Sequence, residues 1–270
     1  MFNLKSLSKA IIGMIHVAAL PGTPKSRCSV QQIVDRAVRE ASEYLEAGMD
    51  ALMIENMHDL PYLKERVGPE VISAMTAVAC ALRPLSSKPM GIQILAAANK
   101  EALAVALCSG FDFIRAEGFV FGHLADEGYI DGCAGELLRY RKSIDADHIA
   151  VFTDVKKKHS SHAITTDVSL SETIQAAEFF LSDGVIITGT STGKEPSVND
   201  VQAAHATTSL PVIIGSGISA TNLEKFWPWA DGFIIGSAFK KKGDWKNEVE
   251  RERVMKLLEK VHMLRNNHLT

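Results

Sequence analysis

Two late stretches, Val212-Ile213-Ile214-Gly215-Ser216-Gly217-Ile218 and Phe233-Ile234-Ile235-Gly236-Ser237-Ala238, decide how the sequence is read. Each is a short β-rich apolar run that ends abruptly in glycine and serine. Glycine lets a backbone approach a ligand closely, and N–H groups at the start of a helix favour an anion. A doubly wound open sheet would carry its glycine-rich turn after the first strand. Here the glycines gather after the last strands, where (β/α)8 barrels frequently hold phosphate. The pair predicts a barrel.

Outward from these stretches, similar runs recur along the chain: Ala10–Val17, Ala51–Glu55, Met90–Leu95, Phe113–Glu117, Ile149–Lys156 and Gly184–Thr188, then Pro211–Gly215 and Gly232–Ile235. Continuous apolar runs without strict alternation indicate strands buried on both faces, as in a parallel sheet. Helical segments lie between them. Ser29-Val30-Gln31-Gln32 and Ser169-Leu170-Ser171-Glu172 both fit the capping box, in which two orphan helix N–H groups are satisfied reciprocally. After the first cap, Val30, Ile33, Val34, Ala37, Val38, Ala41, Tyr44 and Leu45 follow at helical spacing, and Gly48 stops the helix. No linker or composition break interrupts the series. The expectation is one α/β domain over residues 1–270, a parallel eight-stranded (β/α)8 TIM barrel.

Composition narrows the function classes. Apolar residues make up 46% and charged residues 23%, which excludes disorder as the main state. With 29 Lys and Arg against 32 Asp and Glu the net charge is −3, which gives no electrostatic reason for a nucleic-acid or anionic-membrane partner. Cys28, Cys80, Cys108 and Cys133 are scattered, as reduced thiols of a cytoplasmic protein are, and Cys80 reads as a small buried hydrophobe. Lys5 and Lys9 before Ala10–Leu20 outline a signal peptide, but His16 interrupts the run and no A-x-A-like cleavage site follows. No stretch reaches the roughly 20 apolar residues of a membrane span.

Barrel chemistry collects where strands end. The first run ends in His16, the second in Glu55-Asn56 with His58 and Asp59 beyond, and the fourth in Arg115-Ala116-Glu117. The fifth, Val151-Phe152-Thr153-Asp154-Val155-Lys156-Lys157-Lys158-His159, puts Asp154, Lys156 and Lys158 on one side of an extended chain. Asp154 and Lys156 are the expected functional pair, with Lys157 and Lys158 solvated. An anion would rest on Gly215, Ser216, Gly217 and Ile218 and on Gly236, Ser237 and Ala238, with Asn56 and Arg115 as further substrate contacts. Gly189-Thr190-Ser191-Thr192-Gly193-Lys194 lacks P-loop spacing, so nucleotide hydrolysis is not expected, but Thr190 and Lys194 would line the anion site. No cofactor is demanded. A divalent metal is a candidate, with Glu55, Asp59 and Glu117 as its only evident ligands. The glycine-punctuated segment 118–135 reads as a lid or a surface excursion, Trp227, Trp229 and Trp245 as packing residues, and Lys240-Lys241-Lys242 as a solvated face.

Ile12-Gly13-Met14-Ile15-His16, Ala19-Leu20-Pro21-Gly22-Thr23-Pro24, Glu55-Asn56 with Asp59, and Asp154-Val155-Lys156-Lys157-Lys158-His159 together resemble the BtpA/SgcQ family over nearly the whole chain. The resemblance implies a barrel of the ribulose-phosphate-binding type. It implies little about the reaction, since some members are tied to photosystem I biogenesis and others occur beside sugar-metabolism genes. A second likeness is to the orotidine-phosphate decarboxylase group, whose strand motif is D-x-K-x-x-D. Here His159 stands in place of the second Asp, so decarboxylation by that route is not expected.

The sequence therefore points to an enzyme acting on a small phosphorylated metabolite, a sugar phosphate or nucleotide-like compound. Lys156, oriented by Asp154, would stabilise charge or move protons, with His16 and Glu55 opposite as proton-transfer groups. The rival expectation is a non-catalytic barrel serving assembly or regulation. A homo-oligomer is expected in either case.

Overall fold

The computed structural model describes residues 4–189 and 191–267. Eight parallel strands close into a barrel: β1 (Ala10–His16), β2 (Ala51–Glu55), β3 (Met90–Gln93), β4 (Phe113–Ala116), β7 (Ala150–Val155), β9 (Gly184–Ile187), β10 (Val212–Ile214) and β11 (Gly232–Ile235), the last pairing with β1. The helices α1 (Val30–Glu46), α2 (Pro69–Leu82), α3 (Asn99–Ser109), α4 (Ala134–Ser143), α5 (Leu170–Phe179), α6 (Val198–Thr207), α7 (Leu223–Phe226) and α8 (Arg251–Asn267) alternate with them. Both expected capping boxes form, at Ser29 with Gln32 and at Ser169 with Glu172. The strands end one or two residues earlier than several apolar runs suggest.

Alternation along the strands sorts the core into two layers. Ile12 and Met14 of β1, Met53 of β2, Phe113 of β4, Phe152 of β7, Ile186 of β9, Ile213 of β10 and Ile234 of β11 fill the barrel interior. Ile11 and Ile15, Leu52 and Ile54, Ile114 and Val151 face the helices instead. Side chains two positions beyond the inner set must therefore emerge at the barrel's C-terminal mouth.

Three surface expectations need correction. Cys80 is exposed, because it falls on the outer face of α2 while Val78, Ala79 and Leu82 take the core positions. Lys240 is not part of a solvated face. It is fully buried, with Nζ donating to Glu40 Oε2 of α1 at 2.6 Å. Segment 118–135 is not a plain excursion, since β5 (His123–Ala125) and β6 (Gly128–Ile130) form an antiparallel hairpin joined by β8 (Ser160–Ser161). Among the tryptophans, Trp227 is a core residue stacked on Phe233, while Trp245 stands at the mouth against His16 and His58. No helix among the described residues is long and apolar enough to cross a membrane.

Candidate active site

The alternation rule brings His16, Glu55, Gln93, Arg115, Asp154, Thr188, Gly215 and Gly236 to the mouth, each two residues beyond an inward position of its strand. His16 is buried and its Nδ1 lies 3.2 Å from the carbonyl oxygen of Trp245. A carbonyl can only accept, so the neutral ring that satisfies this contact carries its proton on Nδ1 and keeps a lone pair on Nε2. Burial, reinforced by the charge of Lys240, holds the His16 pKa well below the ordinary range. Glu55 is buried beside it, since the two residues are register partners on β1 and β2.

Arg115 and Asp154 form a buried two-point ion pair, and Arg115 Nη1 also donates to Gly215 O at 3.4 Å. Burial opposes the Arg115 charge, but Asp154 outweighs it and raises the pKa further. Glu117 carries a raised pKa because burial exceeds the pull of Lys157, whose Nζ lies 3.2 Å from its Oε2.

A cavity of about 690 Å³ opens over this layer. It is lined by His16, Glu55, Arg115 and Lys158, by residues 215–222 and 236–238, and by the cationic Lys194, Arg253 and Lys256. Two glycines are structurally required here. Gly217 has φ +76°, and a Cβ would sit 2.2 Å from Glu195 N. A Cβ on Gly236 would sit 2.8 Å from His16 Nε2, so this loop lies directly against the imidazole. Ser216 Oγ, Thr188 Oγ1 and Gln93 Oε1 are buried without a hydrogen-bond partner among the described residues. Buried polar atoms of this kind normally have partners, and of the three only Ser216 lines the cavity.

Over residues 7–263 the sequence matches the BtpA family. The chain belongs to the BtpA family. It is 48% identical over 269 residues to an uncharacterized Caenorhabditis elegans protein described as mitochondrial, covering 97% of this chain and 96% of the relative. It is 34% identical to the photosystem I biogenesis protein BtpA of Synechocystis, covering 96% and 90% of the two chains. Among solved structures it is similar to the thiamine phosphate pyrophosphorylase of Pyrococcus furiosus, with a TM-score of 0.58 at 15% identity, covering 97% of this chain and 98% of that one. It is also similar to N-(5'-phosphoribosyl)anthranilate isomerase of the same organism, with a TM-score of 0.58 at 12% identity and coverage of 94% and 99%. At these identities the structures establish the barrel fold.

In this BtpA-family barrel the expected Asp154/Lys156 pair does not form. The strand ends at Val155 and Lys156 has φ +51°, so the alternation that would keep both side chains together stops between them. Lys156 Nζ donates instead to Val168 O at 2.6 Å, outside the cavity, while Asp154 lies beneath it as the brace of Arg115. Lys157 is buried on Glu117 and Lys158 faces the cavity, so neither is solvated as expected. Asn56 works inside the loops, accepting from Leu95 N and donating to Asp59. Asp59 Oδ1 accepts from Leu20 N and Thr23 Oγ1, which pins the loop after β1. With Asp59 and Glu117 thus engaged, the carboxylates considered for a metal do not converge, and no group of three or more His, Cys, Asp or Glu among the described residues could hold one. Thr190 lies outside the described residues. His159 ties two mouth loops together through Thr192. Gln93 and Thr188 were absent from the sequence expectations, and counting two residues on from Gly91 and Ile186 finds both.

Proposed function

We propose that the chain is an enzyme acting on a small phosphorylated metabolite, such as a sugar phosphate. The observation that carries this is the convergence of both late glycine loops with His16, Glu55 and Arg115 on one cavity. Its volume of about 690 Å³ fits a metabolite-sized ligand, for which pockets run roughly 300–1,000 Å³. The phosphate rests on the glycine loops of residues 215–218 and 236–238, where the small residues let the backbone approach a ligand closely. Arg115, held by Asp154 and the Gly215 carbonyl, lines the same cavity. His16 Nε2 accepts a proton or hydrogen bond, and Glu55 acts as its acidic counterpart. Two proteins of this fold, the thiamine phosphate pyrophosphorylase and the N-(5'-phosphoribosyl)anthranilate isomerase, are named for phosphorylated compounds, which supports the reading at the level of the fold.

A thermal-shift screen with ribose 5-phosphate, glucose 6-phosphate, AMP and inorganic phosphate tests the proposal. A ligand bound only by the folded state raises the melting temperature in proportion to its saturation. A narrow set of stabilising phosphorylated compounds supports the site, and no response to any of them overturns it.

The name of the Synechocystis relative favours a second reading, a non-catalytic barrel that serves assembly. The exposed ridge Phe179, Phe180 and Leu181 at the end of α5 is the natural contact for that role or for self-association. This reading predicts no ligand response in the screen, together with a concentration-dependent mass that falls when Phe179 and Leu181 become Ser.

A further inference from the structure

Three consecutive lysines follow β7, and each meets a different fate. Lys156 is tied to the Val168 carbonyl and Lys157 to Glu117. Lys158 is half-buried and makes no side-chain hydrogen bond or ion pair among the described residues, yet it lines the cavity with Glu55, His16 and Arg115. A long cationic side chain partly withdrawn from solvent ordinarily takes a partner, as its two neighbours do. An amine that faces a cavity without one is available to a ligand.

We propose that Lys158 is a nucleophile that forms an imine with the carbonyl carbon of a phosphorylated aldehyde or ketone bound in this cavity. The proposal rests on the anion site described above and names the substrate class for it. The loops proposed to hold the anion follow β10 and β11 and Lys158 follows β7, and all three line one cavity, so the amine and a bound phosphate compound would share it. Condensation needs a neutral amine. Burial lowers the Lys158 pKa and the nearby Arg115 charge lowers it again, in the manner that activates Schiff-base lysines.

The step balances without an added oxidant or reductant. The Nζ lone pair attacks the carbonyl carbon, a C–N bond forms, and the carbonyl π electrons move to oxygen. His16 Nε2 takes the proton shed by nitrogen and passes it to that oxygen, giving a neutral carbinolamine. The hydroxyl group then leaves as water with one proton drawn from solvent through Glu55, and the nitrogen lone pair closes a cationic imine.

The test is borohydride trapping on the full chain with dihydroxyacetone phosphate, glyceraldehyde 3-phosphate and erythrose 4-phosphate, read by intact mass and peptide mapping. The expected result is a single reduced adduct on the peptide bearing Lys158. It should fall at least tenfold with excess inorganic phosphate and disappear in Lys158→Arg, a variant that keeps the charge and whose melting temperature verifies folding. No adduct with any of the three, or labelling that spreads over exposed lysines and survives Lys158→Arg, overturns the proposal. A thermal shift with glycerol 3-phosphate, which has no carbonyl, separates the two levels. If that shift persists while trapping fails, the anion site stands and the imine falls; if the shift is also absent, the anion site itself is wrong and takes the imine with it.

Discussion

Arg115 and Asp154, on neighbouring strands β4 and β7, are joined at Nη2–Oδ1 2.8 Å and Nε–Oδ2 3.0 Å with both side chains buried. The remaining guanidinium nitrogen reaches the carbonyl of Gly215. One ion pair thus joins β4 to β7 and ties both to the loop that begins at Gly215. Removing one member of a buried pair leaves an uncompensated charge, which costs about 3–5 kcal/mol. Asp154→Asn should lower stability by at least about 2 kcal/mol, since the amide retains shape and one acceptor but not the charge. Urea unfolding measures it, and a change within about 0.5 kcal/mol, the range of ordinary surface substitutions, would refute the bracing role.

Gly217 and Gly236 shape the proposed anion seat by being small. Gly217→Ala puts a Cβ into the backbone of Lys194 and Glu195 at a positive φ, and Gly236→Ala pushes one onto His16 Nε2. Each should weaken the response to a stabilising phosphorylated compound by about tenfold or more, equivalent to about 1.4 kcal/mol of binding. Calorimetric titration of both variants tests this. Unchanged affinity in both would mean that the anion sits elsewhere.

Burial lowers the pKa of His58 and of His123 from 6.5 to about 4, and that of His16 well below its ordinary value. The unfolded chain therefore binds more protons than the folded one below pH 6.5, and the linkage relation makes stability fall with pH in that range. The loss should run from about pH 6.5 down to about pH 4, where His58 and His123 also become charged in the folded protein. Chemical denaturation of the double variant His58→Gln/His123→Gln should give a shallower decline across that window than the parent chain. Parallel curves would show that these rings do not resist protonation.

Lys240 and Glu40 fasten the turn after β11 to α1 through a buried contact of 2.6 Å. Lys240→Met leaves the buried Glu40 with only its longer, 3.7 Å contact to Arg36, and should cost about 3 kcal/mol. Replacing both, as Glu40→Leu/Lys240→Met, should recover most of that loss, because a buried pair exchanged for apolar groups of similar volume is often neutral. Melting curves of the single and double variants give the comparison. A double variant as unstable as the single one would show that the pair has a role apolar packing cannot replace.

Much of this molecule is legible along the chain. The apolar runs locate the eight barrel strands, the two capping boxes form where their spacing places them, and the cavity gathers both late glycine loops. His16, Glu55 and Arg115 reach the mouth because strand alternation carries them there from Met14, Met53 and Phe113. The fifth run misled because the same alternation was extended past the end of its strand. One residue with positive φ, Lys156, turned a supposed pair aside and sent Lys158 to the cavity in its place.

The feature that settles the fold is local. Hydrophobic period, caps and glycine positions are properties of neighbouring residues, so the sequence by itself determined a parallel barrel whose late glycine loops border one cavity. Partnership is not local. Arg115 with Asp154, Lys157 with Glu117 and Lys240 with Glu40 join residues up to 200 positions apart. Which charge is neutralised and which is left facing the cavity depends on what closure of the barrel brings within about 4 Å, and at that range a buried charge must be paired or pay heavily in lost hydration. Only the tertiary structure could decide that Lys158, and not Lys156, lines the cavity.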